Sequence, residues 1–100
     1  MCAANRNVRT KEFKEQYDRL PARIRELADR AFALFRENPN HPSLELHNLH
    51  DTARGSHRRN SVAVSITRQY RAIFAQDDGD NVWYWIGTHS DYNGFTGRSS

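Results

Sequence analysis

Lysine is almost missing from this chain: Lys11 and Lys14 stand against thirteen arginines. Arginine's planar fork suits bidentate contact with phosphate or carboxylate better than lysine's point charge, so an acidic partner is favoured. Cysteine is scarcer still. Cys2 has no second cysteine to pair with and cannot complete a four-ligand metal site, which excludes a disulfide framework and fits a reducing, cytoplasmic compartment. Long hydrophobic runs are absent as well. The longest, such as Ala31 to Phe35, is five residues, too short for a membrane span or for the apolar part of a secretion signal. One hundred residues hold one modest core and no separate cofactor domain, so we expect a single domain over residues 1–100, with residues 96–100 as a frayed tail.

Acids are missing from one whole stretch. Between Thr52 and Gln76 there is no Asp or Glu, while Arg54, His57, Arg58, Arg59, Arg68 and Arg71 all fall inside; Asp77, Asp78 and Asp80 follow at once. Such a basic stretch fits either nucleic acid or an acidic protein segment.

The pattern in the first half is helical. Phe13, Tyr17 and Leu20 lie at i, i+4 and i+7 after Thr10. Leu20-Pro21 interrupts that helix and opens another, because proline is tolerated in a first turn. The second helix carries Ile24, Leu27, Ala28, Ala31, Leu34 and Phe35 on one side, and Asn38-Pro39 ends it. The segment "NPNHPSLELHNLHDT" is an extended connector in which Leu44, Leu46 and Leu49 pin the chain to the core.

After Asn60 the period falls from about 3.6 to 2, the mark of strands. "SVAVSIT" alternates Val62, Val64 and Ile66 with small or polar residues, and the apolar face is expected to meet the helices. "YRAIFAQ" and "NVWYWIGT" are two further strands joined by "DDGDN", whose Gly79 takes positive φ cheaply. Thr67 to Gln69 is a tight link, so the three strands form an antiparallel meander. Strict alternation puts Trp83 and Trp85 on one face and Val82, Tyr84 and Ile86 on the other. "NRNVRT" near the start is a short strand at best. The fold class is α+β, two helices on a small twisted antiparallel sheet.

The phrases "LPARIRELADRAFALFRENPNHPSLELHNL", "YRAIF" and "WYWIGTHSDYNGF", in that order and spacing, resemble the RelE/ParE family of bacterial type II toxins, from about Phe13 to Phe95. The resemblance implies the same two-helix and sheet domain, often with an N-terminal edge strand, which raises the standing of "NRNVRT". It also implies a cognate antitoxin protein as partner. RelE-like members cut mRNA, usually in the ribosome; ParE-like members bind DNA gyrase and are not nucleases. The fold does not choose between them.

Cutting RNA through its own 2′-hydroxyl needs a proton acceptor, a proton donor and positive charge at the phosphate. Histidine suits the first two near neutral pH and arginine the third. His89, at the position that is often Arg or His in RelE-like nucleases, and Arg71, in the "YR" that matches the arginine near the scissile phosphate, are the catalytic candidates the resemblance implies, with Tyr92 as a stacking or proton-sharing aromatic. Arg58, Arg59 and Arg68 are candidates for the RNA backbone. Asp91 serves either as a base or as a neutralising partner of Arg71, and His57 is a runner-up second histidine. Two features count against a potent nuclease: Ala63 and Ser65 stand where the family's nucleases present basic residues, and no C-terminal helix is legible beyond Phe95. The resulting expectation is a toxin, an RNA endonuclease acting alone or on the ribosome. The alternatives are a ParE-like binder of a protein target such as gyrase, and an RNA-binding or interaction module without toxicity. His41, His47, His50 and His57 lack the rigid surroundings of a zinc site, so no metal, no other cofactor and no membrane partner is expected.

Overall fold

A computed structural model describes residues 6–49, 57, 58 and 60–97. The elements run β1 (Asn7–Arg9), α1 (Lys11–Asp18), α2 (Ala22–Glu37), a short 3-10 turn (Pro42–Leu44), β2 (His47–Asn48), β3 (Ser61–Ser65), β4 (Tyr70–Asp77), β5 (Asp80–Thr88) and α3 (His89–Thr96). The sheet order is β1-β5-β4-β3-β2, antiparallel except where β1 runs parallel to β5. None of the described helices is long and apolar enough to cross a membrane.

Both predicted helices form where the periodicity places them. Thr10 caps α1, its Oγ1 accepting from the backbone N–H of Phe13 at 3.1 Å. Pro21 stands at the start of α2 and accepts the first helical bonds from Ile24 and Arg25. At the other end the Asn38 N–H closes on Leu34 O at 2.7 Å before Pro39 prevents continuation. The helices bury Phe13, Leu20, Ala28 and Phe35 against Val62, Val64, Ala72, Phe74, Trp83 and Ile86. This is the greasy face read from "SVAVSIT". Phe32, outside the predicted stripe, also joins this core.

The second face of the sheet is covered too. Ala63, Ile73, Ala75, Tyr84 and Trp85 pack with Tyr92 of α3, and Leu49 and Phe95 lie against them. The connector leucines therefore divide: Leu44 and Leu46 go to the helical core and Leu49 to the opposite side.

The expected alternation in β5 fails at one point. Ile73 pairs with Trp85 and Phe74 with Trp83, so Tyr84 is an extra residue in the ladder. Such a bulge shifts the side-chain phase by one. Trp83 consequently enters the helical core while Trp85 lies with Tyr84 on the α3 side; the two indoles do not share a face. Trp83 is ringed by Phe13, Phe32, Phe35 and Phe74 at centroid distances of 4.7 to 6.3 Å. The hairpin between β4 and β5 turns on Asp78 and Gly79, both at positive φ (53° and 85°), the requirement of the two-residue turn that matches strand twist.

Two further readings are corrected. The chain after Thr88 is a helix, and Thr96 and Gly97, expected in a loose tail, close it: Thr96 is buried, with Oγ1 donating to Tyr92 O at 2.8 Å, and Gly97 is the left-handed cap. Residues 98–100 lie outside the described residues. The sheet is also mixed, because β1 adds in parallel.

Arg6 ties β1 to the hairpin, donating from Nη2 to Asp80 Oδ2 at 3.0 Å and from Nε to Oδ1 at 3.4 Å. This hydrogen bond holds the Asp80 carboxyl below its ordinary range and raises the Arg6 guanidinium. Because the folded value is the lower one, the tie stabilises the fold above the ordinary carboxylate value and is lost as pH falls through the lowered one. By NMR, the Asp80 carboxyl should titrate below that of an unstructured aspartate, and Arg6→Ala should return it to the ordinary range. An unmoved midpoint in the variant would show that Arg6 is not the cause.

Candidate functional site

The far face of the sheet is where the candidate residues meet. Arg71 leaves β4 near its start, beside Ser65 of β3 on one side and Gly87 of β5 on the other. A Cβ at its neighbour Gly87 would lie 3.1 Å from the Trp85 ring, so the indole would have to give by a few tenths of an ångström. Two residues further along β4 runs the rung His47–Ala63–Ile73–Trp85, all four on one face because side chains alternate.

Helix α3 lies across this rung. Thr88 caps it, Oγ1 accepting from the Asp91 N–H at 3.1 Å, so His89 is its first residue and Tyr92 follows almost one turn later on the same side. Tyr92 is buried, 1% exposed, over the small Ala63. Its hydroxyl reaches His47 Nε2 at 2.9 Å. His89 stacks on the Tyr92 ring, centroids 5.9 Å apart at 19°, and the Arg71 guanidinium lies 5.5 Å from the centre of the same ring.

Arg71 Nε donates to His89 Nδ1 at 3.0 Å. A guanidinium only donates, so this nitrogen must offer its lone pair. The proton of the neutral imidazole is then on Nε2, on the side of the ring away from Arg71. Two Nη groups of Arg71 remain as donors to an anion. The structure thus brings His89, Arg71 and Tyr92 together over one ring, with His89 exposed and Arg71 half-buried.

The other candidates are distributed differently. Arg58 stands at the opposite end of the face, its guanidinium 4.7 Å over the Tyr84 ring and its N–H donating to the Tyr84 hydroxyl at 2.8 Å. That hydroxyl and Ser61 Oγ are 2.6 Å apart, and Ser61 Oγ also donates to Arg58 O at 2.6 Å, so Arg58 is tied to the start of β3 and to Tyr84. Arg68 is exposed on the Thr67–Gln69 link beside β4. Arg59 lies outside the described residues. His57 is half-buried and adjoins Arg58 in the chain. Asp91 does not neutralise Arg71: the ion pairs among the described residues are Arg6–Asp80 and Arg30–Glu26.

His47 is the residue that sequence reasoning missed as part of this site. It was grouped with metal candidates, yet among the described residues no cluster of three or more His, Cys, Asp or Glu side chains is placed to hold a metal; His50 is outside them. Only the pairing of β2 with β3 carries His47 to Tyr92, and two residues of edge strand leave no periodic trace. Helix α3 did leave one: Thr88-x-x-Asp91 has the spacing of a helix-capping signal.

Residues 22–94 match the family model of the ParE-like toxin domain. This chain belongs to that family. Among solved structures, the toxin domain is similar to YafQ from E. coli strain BL21(DE3), with a TM-score of 0.68, 12% identity, and coverage of 88% of this chain and 97% of that one. It is similar to the toxin–antitoxin complex of RelB and RelE from Methanococcus jannaschii at a TM-score of 0.66 and 10% identity, over 88% and 96% of the chains. The YoeB dimer from Staphylococcus aureus follows at 0.59 and 12%, over 87% and 99%. At such identities the likeness speaks for the fold. No curated protein matches the toxin domain by sequence.

Proposed function

We propose that this protein is the toxin of a toxin–antitoxin pair and that it cleaves RNA through the 2′-hydroxyl. The observation that carries the nuclease reading is the 3.0 Å contact between Arg71 and His89, with both groups laid on the Tyr92 ring. In this reading the free Nη groups of Arg71 hold the scissile phosphate and oppose the charge it gains. The Nε2–H of His89 donates a hydrogen bond to the departing 5′-oxygen, which takes its proton from water. The 2′-oxygen attacks phosphorus as its proton passes to water, and the 5′-oxygen leaves, giving a cyclic phosphate and a free 5′-hydroxyl; the buried His47–Tyr92 pair holds the ring on which His89 and Arg71 lie. Arg58 and Arg68 flank the face and hold neighbouring phosphates. The antitoxin partner is supported by family membership and by structural neighbours solved as DinJ–YafQ and RelB–RelE complexes.

One observation favours a second reading, a ParE-like toxin acting by binding a protein. The β3 positions facing this site are Ala63 and Ser65, both buried, so the strand adds no cation to the phosphate. Incubating purified protein with mRNA, with and without ribosomes, separates the two. Fragments ending in cyclic phosphate support the nuclease; intact RNA in both reactions, together with a stoichiometric complex with gyrase or another protein, supports the binder.

A further inference from the structure

The His89-Ser90-Asp91-Tyr92 motif is split by helix α3. His89 and Tyr92 face Arg71, whereas Ser90 and Asp91 line a groove of about 640 Å³ on the other flank, between α3 and the corner joining α1 to α2. The groove begins at Thr88 and Ser90, the neighbours of His89 in the chain, so it adjoins the site. Trp85 and Phe95 line it as a stacked pair, centroids 5.3 Å apart at 20°, with Tyr70 contributing a further aromatic wall and Arg19 a cation. Asp91 is exposed, and among the described residues its carboxylate has no hydrogen-bond or ion-pair partner; only its backbone N–H is used, on Thr88.

From this we infer that the groove seats the base of a nucleotide next to the cut and that Asp91 selects guanine, an inference that rests on the nuclease reading. Aromatic rings accept any base by stacking, so they provide affinity without choice. A carboxylate offers two acceptors side by side. Guanine presents two adjacent donors, N1–H and the 2-amino group, and both can be taken at once. Adenine and cytosine place a ring-nitrogen acceptor beside their amino group, which repels the second oxygen. Uracil has a single N3–H between two carbonyl oxygens. One bidentate base contact commonly corresponds to about a tenfold preference or more.

The experiment uses short fluorescent RNAs, identical but for the base on either side of the cut, with ribosomes added if cleavage requires them. The guanine reporter should be cut about tenfold faster than the others. In Asp91→Asn that advantage should disappear and adenine should gain, because an amide offers one donor and one acceptor. A merely structural Asp91, stabilising the first turn of α3, would slow all four reporters equally. The same RNAs are then titrated onto His89→Ala by fluorescence anisotropy, with and without the added Asp91→Asn. Equal treatment of the four bases by the parent, or a guanine preference that survives Asp91→Asn, overturns the inference. If no RNA is cut but guanine is bound preferentially through Asp91, the groove assignment stands and the nuclease reading falls.

Discussion

Replacing His89 with alanine should lower RNA cleavage by roughly 10²- to 10³-fold, the usual range for removing a hydrogen-bond donor from developing negative charge, while leaving the fold intact. The side chain is exposed and touches the core only through the Tyr92 ring, so the change in stability should stay within about 1.5 kcal/mol. Arg71→Ala should produce a loss of similar order, because the same side chain both positions the imidazole and faces the phosphate. Arg71→Lys should not rescue it: an ammonium is a point donor without the planar fork that binds His89 Nδ1 through Nε and leaves both Nη groups for a bidentate grip on phosphate. The double variant should be little worse than either single one, since residues acting as a unit are not additive. Single-turnover cleavage beside a thermal melt measures both quantities. Parental rates in both single variants would remove this pair from the chemistry.

The largest effect on stability is expected at Trp83. Its ring is 3% exposed and touches four phenylalanines, Phe13, Phe32, Phe35 and Phe74. Its Nε1–H donates to Asn7 Oδ1 at 3.0 Å, which joins β1 to the core. Trp83→Ala removes the ring and leaves a cavity, a change that costs about 3–5 kcal/mol. Domains of this size hold about 5–15 kcal/mol in all, so the variant should stand near the edge of unfolding. Trp83→Phe keeps much of the ring and loses only the donor to Asn7, and should fall between the two. Urea unfolding monitored by circular dichroism decides this; a loss below about 1 kcal/mol for the alanine variant would mean that the helical core is not centred on this residue.

Local chemistry in the sequence was sufficient for most of the scaffold. The stripe from Ile24 to Phe35, the break at Leu20-Pro21, the alternation of Val62, Val64 and Ile66 and the Asp78-Gly79 turn each express a preference among neighbouring residues, and each appears where it was expected. Helix α3 was missed because Asn93 and Gly94 are poor helix formers and its apolar period is weak; its helical form rests on the Thr88 cap and on Tyr92 finding a place over Ala63.

Arg71 and His89 were legible as candidates one at a time, as residues of the right chemistry in phrases of a familiar order. Their meeting, and the entry of His47, were not legible. Those depend on strand register, on the extra residue at Tyr84 and on pairing between segments far apart in the chain. A bulge shifts every later side chain to the other face, yet it leaves the amino-acid alternation unchanged. The sequence by itself therefore determined the family, the two N-terminal helices, the three strands of the meander and the types of reactive group; only the tertiary structure decided which of those groups share one face, because that depends on contacts between residues that are not neighbours in the chain.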